Sequence, residues 1–408
     1  MPIDRLDQLL KERVADLERT GVAKHRETVI TAILPPAAGH GPRYLLAGDG
    51  DRAFIRMNSN GYLGMALRPE VIAAEAAAAH EFGTGPQAVR FISGTFAAHT
   101  RLEERLAAFH GREAAIVMSS AYATVMAVLP CLVTPETAVF SDELNHNCII
   151  NATRLAQPAH KLVYPHLDVA RLGADVAANA SSARRALVVT DGVFSMRGDH
   201  APLARIVATS ERHDHAYPEN VVVVVDDSHG VGAYGATGRG TEEVTGARVD
   251  VLVGTLGKAF GVNGGYVVGS RYLVDYLRET AATYIYSNPI TPAEAAAAHA
   301  AIELVDSAEG VELLNRLRAQ TVRFRSGLAE LGLETIPGEH PVVPLVVGDT
   351  DRTRSLVTYL HDRGVLATGL AYPVVPRGDD EVRFQISADH TPADIDLVLD
   401  VLEAFPAR

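Results

Sequence analysis

Five consecutive valines, Val221–Val225, constrain the fold of this chain more than any other feature of its sequence. An uninterrupted run of β-branched residues is typical of a strand buried on both faces, as in the interior of a parallel α/β sheet. Asp226, Asp227, Ser228 and His229 follow the run directly. Open α/β sheets bind ligands beyond the carboxyl ends of their strands, so we expect these polar side chains to face a cleft.

A second apolar run, Val249–Val253, ends just before Thr255 and Lys258. If it is a strand of the same sheet, Asp226, His229 and Lys258 meet in one region. A lysine that forms a Schiff base must lose its proton near neutral pH, which a partly desolvated, electropositive pocket promotes. An aspartate can pair with the protonated ring nitrogen of pyridoxal phosphate, which makes the ring an electron sink. The histidine could then hydrogen-bond the phenolic oxygen of this cofactor.

Two other phosphate-binding motifs overlap this stretch. The glycines that begin at Gly230 satisfy G-x-G-x-x-G, but a dinucleotide-binding turn follows its strand directly and opens a helix. Here 4 polar residues intervene, so a dinucleotide site stays a minor alternative. A phosphate loop that ends at Lys258 is rejected, because Leu252 and Ala259 stand where that loop requires Gly and Ser or Thr.

The rest of the pattern predicts an α/β fold. Between residues 161 and 226, short apolar runs alternate with helical ones, which is typical of right-handed βαβ crossovers. We therefore expect a mainly parallel sheet with helices on both faces. A strand at 114–118 leads through a turn of small residues into a helix at Ala121 and Tyr122. The N–H groups at such a helix start predict a phosphate site.

The expected division has three parts, namely an N-terminal helix and hairpin segment at 1–57, a cofactor-binding large domain at 58–305 and a small α+β C-terminal domain at 306–408. Apolar residues recur at helical spacing from Leu6 to Leu17. They predict an amphipathic helix that packs on the body of the protein or on a partner subunit.

Composition excludes several classes of function. The chain has 408 residues and a formal net charge of −13, which disfavours a nucleic-acid or anionic-membrane surface. No apolar run approaches the roughly 20 residues of a membrane span, and the first residues are too charged for a signal peptide, so we expect a cytoplasmic protein. Cys131 and Cys148 form no C-x-x-C pair. They are expected to be small buried hydrophobes, with neither a disulfide nor a metal site.

Nine motifs in a fixed order carry a family resemblance. The sequence resembles the α-oxoamine synthases, fold-type-I pyridoxal-phosphate enzymes that condense an amino acid with an acyl-CoA. Within this family it is most similar to the glycine C-acetyltransferases, also called 2-amino-3-ketobutyrate CoA ligases. The motifs are NGYLG from Asn60, VRFISGT from Val89, SDELNHNCII from Ser141, TDGVFSMRGD from Thr190, VDDSHGVG from Val225, GRG from Gly238, GTLGKAFG from Gly254, YSNPITPA from Tyr286 and VRFQISADHT from Val382.

The resemblance implies a role for each matched polar residue. Lys258 would hold the cofactor and move the α-proton of the substrate, while Asp226 pairs with the ring nitrogen. His146 would stack on the face of the ring, and His229 would contact its phenolic oxygen. The implied substrate contacts are Arg383, as the anchor of the amino-acid carboxylate, and Asn60. The further implied cofactor contacts are Ala121, Tyr122, Ser195 and Thr255, with Ser287 and Asn288 reaching across from the other subunit of a homodimer.

Departures from the family pattern bear on the substrate. Gly61 stands where relatives usually have a polar residue, and Arg197 where they often have an acid. Val89 and Phe91 are apolar where relatives specific for succinyl donors have polar side chains, which favours a short uncharged acyl group.

The predicted reaction condenses glycine or another small amino acid with a short-chain acyl-CoA. It gives a 2-amino-3-oxo acid, or the aminoketone left by its decarboxylation, and releases CoA. An alternative is a pyridoxal-phosphate aldolase, or another carbon–carbon bond-forming enzyme of specialised metabolism, that does not use acyl-CoA. A non-catalytic partner subunit is disfavoured because Lys258 is present.

Overall fold

The computed structural model describes residues 3–20, 23, 27–372, 375–376 and 378–406. The helices in these ranges are Asp4–Arg19 (α1), Pro69–Phe82 (α2), Ala97–Phe109 (α3), Ala121–Leu132 (α4), Asn147–Ala156 (α5), Val169–Asn179 (α6), Leu203–Asp214 (α7), Thr241–Thr245 (α8), Arg271–Thr280 (α9), Ala282–Ile285 (α10), Pro292–Val305 (α11), Ala308–Glu330 (α12), Thr350–Asp362 (α13) and Pro392–Glu403 (α14). The strands are Ile30–Leu34 (β1), Arg43–Leu46 (β2), Ile55–Arg56 (β3), Ala114–Met118 (β4), Thr137–Asp142 (β5), His160–Tyr164 (β6), Arg185–Asp191 (β7), Val221–Asp226 (β8), Val251–Thr255 (β9), Gly265–Gly269 (β10), Val342–Val346 (β11), Val365–Leu366 (β12), Thr368–Leu370 (β13) and Glu381–Gln385 (β14).

The valine run forms the middle strand of the largest sheet. In the described part of the chain, this sheet has 7 strands in the order β4-β10-β9-β8-β7-β5-β6. Strand β8 pairs in parallel with β7 on one side and β9 on the other. Strand β10 runs antiparallel to both of its neighbours, β9 and β4. The predicted mainly parallel sheet is therefore confirmed, with one reversed strand.

Helices cover both faces of this sheet, as predicted. Val223 and Val225 belong to one apolar cluster and Val224 to another, because successive residues of a strand point to opposite faces. All three side chains are buried. A strand that is apolar on both faces is stable only in the interior of such a layered structure. The layering leaves the carboxyl ends of the strands as the edge where polar side chains can collect.

The C-terminal part forms a smaller sheet, in which β14 lies between β11 and β13 and is antiparallel to both. On one face of β14, Phe384 packs against Phe324 of α12, with the ring centroids 5.1 Å apart. Arg383 precedes Phe384 and therefore points to the opposite face, which is turned towards the large sheet. The short strand β12 pairs in parallel with β3, which ties the N-terminal segment to this part of the chain.

The N-terminal elements are a hairpin and a helix. Strands β1 and β2 pair antiparallel, as the turn residues predict. Every residue of α1 is exposed, so the prediction that this helix packs on the body of its own chain is wrong for the described residues. Its packing on a partner subunit stays a prediction. No helix within the described ranges is both long and apolar enough to cross a bilayer.

Candidate active site

A cavity of about 260 Å³ lies at the carboxyl ends of the strands of the large sheet. Each of β4, β5, β7, β8 and β9 leads into a segment that contributes at least one lining residue. A larger cavity of about 410 Å³ between α8 and α12 has no lysine or histidine among its described lining residues. The lining of the smaller cavity consists of Ser120, Ala121, Tyr122, His146, Cys148, Asp191, Val193, Ser195, Asp226, Ser228, His229, Thr255 and Lys258.

Lys258 follows β9 and lies on the floor of this cavity. Burial lowers the pKa of its ammonium to about 8, although the nearby carboxylates of Asp226 and Asp191 oppose that change. Desolvation disfavours the charged form, so the amine can lose its proton much more readily than an ordinary lysine. Lys258 is therefore suited to act as a nucleophile and as a base near neutral pH.

Asp226 ends β8 and is fixed on one side. Its Oδ1 accepts hydrogen bonds from the N–H of Ser228 at 3.1 Å and from the Ser228 hydroxyl at 2.5 Å. Burial, followed by the charge of Asp226, raises the pKa of Asp191 well above its usual value. The ends of the paired strands β7 and β8 thus carry two different acids. Asp226 has a carboxylate that accepts hydrogen bonds, and Asp191 tends to stay protonated.

The next residue, Asp227, is structural. Its two carboxyl oxygens accept from the N–H of Thr241 at 2.7 Å and from the Thr241 hydroxyl at 2.6 Å. Asp227 is fully buried, and burial raises its pKa to about 7. Asp226 and Asp227 are adjacent but have different roles, because successive side chains of a strand point to opposite sides.

His229 is held through both its ring and its backbone. Its Nδ1 lies 2.7 Å from the hydroxyl of Tyr62, and its carbonyl oxygen accepts from Nε2 of His340 at 2.9 Å. Burial and the charge of Lys258 lower the pKa of His229 well below its usual value, so the imidazole is neutral. Sequence reasoning missed Tyr62 and His340. The NGYLG motif contains Tyr62 and could have drawn attention to it, whereas nothing in the sequence indicated His340.

His146 caps the N-terminus of α5, where its Nδ1 accepts from the N–H of Cys148 at 3.2 Å. The ring of Tyr122 lies edge-on to it at 6.5 Å, which confirms that the two are neighbours. Burial lowers the pKa of His146. Cys148 is 1% exposed and belongs to an apolar cluster, so the expectation of a small buried hydrophobe is confirmed, but the thiol also has polar neighbours. Its Sγ lies 2.9 Å from His146 Nδ1 and 3.6 Å from Asp226 Oδ2, because α5 brings the thiol to the end of β8.

The start of α4 has N–H groups that could bind an anion. Ser120 caps the helix by accepting from the N–H of Ala123 at 3.1 Å. The N–H groups of Ala121 and Tyr122 have no partner within the helix, because the first turn of a helix lacks preceding carbonyls. A Cβ on Gly265 would lie 2.1 Å from the Ala121 nitrogen, so glycine there keeps this turn in place. Amine, carboxylate, imidazole and helix start together fit pyridoxal phosphate.

Two further predicted cofactor contacts, Thr255 and Ser195, line the cavity. The Thr255 hydroxyl accepts from the N–H of Gly257 at 3.1 Å and donates to the carbonyl of Gly264 at 3.2 Å, which fixes the approach to Lys258. Ser195 lines the pocket after β7. Its carbonyl oxygen accepts from Arg383 Nη1 at 2.8 Å, which brings the C-terminal sheet to the rim.

Arg383 and Asn60 lie together at this rim. One terminal atom of the Gln385 amide is 2.8 Å from Arg383 Nη2 and 3.0 Å from the Asn60 side chain. A guanidinium only donates, so this atom is assigned as Oε1. The Asn60 atom beside it is then assigned as the amide Nδ2, which donates to it, since two amide oxygens cannot form a hydrogen bond with each other. Gln385 therefore links the two predicted substrate contacts. Gly61, the next residue, has room for a side chain, since a Cβ there would meet only Ser59 Oγ at 3.3 Å.

The structure also shows the surroundings of Arg197, which departs from the family pattern. Its Nε donates to Asp199 Oδ2 at 2.8 Å, and the guanidinium acts on Glu381 of β14. Glu381 is 4% exposed, and its Oε1 has no hydrogen-bond partner among the described residues. Burial raises its pKa to about 8, against the opposing charges of Arg383 and Arg197. An arginine at position 197 thus faces an acid on the neighbouring sheet.

Ser287 and Asn288 do not line the cavity of their own chain. Asn288 is exposed, and the Ser287 hydroxyl contacts only the Asn288 carbonyl, at 3.4 Å, among the described residues. Nearby, Tyr286 is 80% exposed. Their predicted contact with the cofactor of a second subunit stays a prediction.

Comparison with known proteins agrees with this geometry. Residues 52–402 match the family model "Aminotransferase class I and II". The chain is 40% identical over 351 residues to 8-amino-7-oxononanoate synthase of Thermosipho melanesiensis, covering 86% of this chain and 87% of that protein. It is 39% identical over 395 residues to mitochondrial 2-amino-3-ketobutyrate coenzyme A ligase of Bos taurus, covering 96% and 90%.

Among solved structures, the chain is similar to Sphingomonas wittichii serine palmitoyltransferase, with a TM-score of 0.88, 28% identity and coverage of 98% of this chain and 97% of that one. The predictions of fold type I, of pyridoxal phosphate as cofactor and of an enzyme are confirmed. The chain belongs to the aminotransferase class I and II family and, within it, to the pyridoxal-phosphate-dependent α-oxoamine synthases.

Proposed function

We propose that this enzyme condenses glycine or another small amino acid with a short-chain acyl-CoA and releases CoA. The product would be a 2-amino-3-oxo acid or the aminoketone left after decarboxylation. The observation that carries the proposal is the meeting of Lys258, Asp226 and His229 in one cavity, with the pKa of the lysine lowered to about 8. When bound, pyridoxal phosphate would serve as the electron sink that makes the α-proton of the amino acid acidic.

The residues of the chain would divide the work by position. Lys258 would hold the cofactor and then take the α-proton on Nζ, since its lowered pKa leaves part of the amine neutral. Asp226 would keep the ring nitrogen protonated, because Ser228 holds the carboxylate in place. Arg383 would bind the substrate carboxylate through its planar fork, with one Nη already fixed on the Ser195 carbonyl.

The remaining contacts would hold the cofactor. Neutral His146 would stack on the ring, and His229, steadied by Tyr62, would contact the phenolic oxygen. Tyr122 would flank His146, and the start of α4 would bind the phosphate. Ser195 and Thr255 would complete this set. Asn60 would act on the substrate side through Gln385.

The acyl group is the less constrained part of the proposal. Phe91 and Ile92 are 67% and 68% exposed on the π-helical turn Arg90–Gly94. Arg90 itself is buried in an ion pair with Glu103 at 3.1 Å, so this turn presents apolar side chains without an arginine beside them. Such a surface suits a short uncharged acyl chain better than a carboxylate-bearing one.

A thiol-release assay tests the reaction. Purified enzyme with glycine is given acetyl-, propionyl-, succinyl- or long-chain acyl-CoA, and free CoA is measured. The proposal expects release with the short uncharged donors, at least about tenfold faster in kcat/KM than with succinyl-CoA, because a buried unpaired carboxylate is costly. Absence of thiol release with all four donors, together with cleavage of a 3-hydroxy amino acid, would instead support aldol chemistry.

We further propose a cytoplasmic homodimer with shared sites. The exposed apolar stripe of α1, together with Tyr286, would be covered by the second copy. Ser287 and Asn288 would then contact the phosphate in the partner subunit. A mixture of a Lys258→Ala subunit with a Ser287→Ala/Asn288→Ala subunit tests this, because only a shared site regains activity when two inactive subunits combine. No gain on mixing, or full activity of the double variant alone, would contradict it.

A further inference from the structure

One buried side chain beside the cavity has no part in the proposed reaction. Cys148 lies in the first turn of α5 and is 1% exposed. Its Sγ is 2.9 Å from His146 Nδ1 and 3.6 Å from Asp226 Oδ2. The thiol therefore lies beside two groups with proposed cofactor contacts. These are Asp226, assigned to the ring nitrogen, and His146, assigned to the face of the ring.

The hydrogen bonds at Nδ1 define where His146 carries its proton. The N–H of Cys148 donates to Nδ1 at 3.2 Å, so this nitrogen presents a lone pair. Burial lowers the pKa of His146, and the ring is neutral at neutral pH. A neutral imidazole whose Nδ1 accepts must have its proton on Nε2. The ring thus offers a donor to whatever lies on its other side.

The thiol is a permanent donor. Burial raises the pKa of Cys148, and the negative charge of Asp226 raises it further, so the sulfur keeps its proton. Asp226 Oδ1 is already bonded to Ser228. Within the described part of the chain, the hydrogen bond at Asp226 Oδ2 comes from Cys148. Because Nδ1 of His146 already accepts from a backbone N–H, the S–H has the carboxylate as its better acceptor.

We propose that Cys148 is a positioning residue of the cofactor site. Its S–H fixes Asp226 Oδ2, and its backbone N–H fixes His146 Nδ1, so that the carboxylate and the imidazole keep one relative orientation. The inference rests on the proposed roles of Asp226 and His146. A serine hydroxyl at position 148 could donate in the same way, whereas an alanine could not.

The test compares Cys148→Ala and Cys148→Ser with Cys131→Ala as the control. Cys131 is the other cysteine, and its Sγ lies 3.5 Å from the Thr280 hydroxyl, outside the cavity. Each purified protein is stripped of cofactor and titrated with pyridoxal phosphate. The dissociation constant and the pH midpoint of the absorbance of the bound cofactor are measured. Cys148→Ala should bind about 3- to 10-fold more weakly, the size of a lost hydrogen bond, and should shift the midpoint.

The expected pattern separates positioning from packing. Cys148→Ser should stay within about twofold of the wild type in affinity and keep the midpoint, since it restores the donor. Cys131→Ala should change neither quantity. If Cys148→Ser and Cys148→Ala behave alike, or if both lower only the melting temperature, the positioning role is overturned.

Asp226→Asn distinguishes failure of this inference from failure of the proposed function. If Asp226→Asn binds the cofactor as tightly as the wild type and with the same pH midpoint, the assigned role of Asp226 is wrong, and the Cys148 proposal falls with it. If Asp226→Asn is clearly impaired while both Cys148 variants match the wild type, only the Cys148 proposal is overturned.

Discussion

Two buried tyrosine–histidine pairs in this protein make the same hydrogen bond in different regions. Tyr62 contacts His229 at 2.7 Å, and Tyr266 contacts His110 at 2.9 Å. Both tyrosines are fully buried, and burial lowers the pKa of both histidines. His229 of the first pair lines the cavity that contains Lys258, whereas neither residue of the second pair does, although both tyrosines belong to the same apolar cluster. The comparison teaches that a buried polar pair does not by itself mark a site. Such a pair marks a site only when it lies beside the cavity.

The same contrast extends to other residue types. The chain has a lysine, an arginine and a glutamate at or near the cavity and a counterpart of each elsewhere, so every pocket variant has a matched control. A residue that contacts substrate or cofactor should change catalysis more than stability. A buried residue without such a contact should do the reverse, and an exposed one should change neither.

The largest effect is expected for Lys258→Ala, with Lys161→Ala as the control. Lys258 has its pKa lowered to about 8 and lies in the cavity, whereas Lys161 is exposed on β6. Removing a group that serves as both nucleophile and base should lower kcat about 10³-fold or more. Steady-state thiol release measures it. Lys161→Ala should keep full activity, and turnover by Lys258→Ala at the wild-type rate would refute the assignment.

Arg383→Lys should have the next largest effect, with Arg325→Lys as the control. A lysine keeps the charge but loses the planar fork, so the KM for the amino acid should rise about 10- to 100-fold with a smaller change in kcat. Arg325 instead donates to the carbonyls of Ile336 and Val342, at 2.8 and 3.0 Å. Its variant should lower the melting temperature and leave KM unchanged. Equal KM values for Arg383→Lys and wild type would contradict the carboxylate role.

Tyr62→Phe against Tyr266→Phe tests the opening comparison directly. Each change leaves a buried histidine nitrogen without its partner, which costs about 1–3 kcal/mol of stability. Tyr62→Phe should in addition lower kcat about 5- to 20-fold, because the orientation of His229 is lost. Denaturant unfolding and kcat are measured for both. If Tyr266→Phe reduces kcat as much as Tyr62→Phe does, the distinction between pocket and core fails.

The sequence predicted the site residues that follow the strands of the large sheet better than those at the rim of the cavity. Asp226, His229 and Lys258 follow apolar strands, and the ends of parallel strands meet at one edge, so local pattern and topology were sufficient to bring them together. The Tyr62–His229 contact joins positions 167 residues apart, and no periodicity indicates such a distance. Family resemblance supplied Arg383, but its contact with Ser195 depends on how the C-terminal sheet packs.

Two features lay beyond what the sequence pattern could predict. Cys148 was expected to be a small buried hydrophobe, and it is buried in an apolar cluster. Its contact with Asp226 could not be predicted, since that carboxylate comes from the end of β8, 78 residues along the chain. Likewise, the apolar stripe of α1 predicted packing, but a stripe cannot indicate which surface covers it.

The smallest effect on activity is expected at Glu381, compared with the ion-paired Glu103. Burial raises the pKa of Glu381 to about 8 from an ordinary 4.5. Between these values the unfolded chain is ionised while the folded chain keeps the proton, so the free energy of unfolding of the wild type should fall as pH rises from about 4.5 to 8. Glu381→Gln removes this loss and should be about 1–2 kcal/mol more stable than wild type at pH 8, with activity within about threefold.

Glu103 should behave in the opposite way, because its carboxylate accepts from Arg90 at 3.1 and 3.2 Å and from Arg278 at 2.7 Å. Glu103→Gln leaves the buried Arg90 and the half-buried Arg278 without their counter-charge and should lower the free energy of unfolding by about 3–5 kcal/mol. Urea unfolding at pH 5, 6.5 and 8 separates the two cases. Parallel pH profiles for wild type and Glu381→Gln would mean that the Glu381 carboxyl is already ionised in the fold. The charges of Arg383 and Arg197 would then outweigh the cost of burial, so the arginine at position 197 would help to keep the carboxylate on β14 ionised.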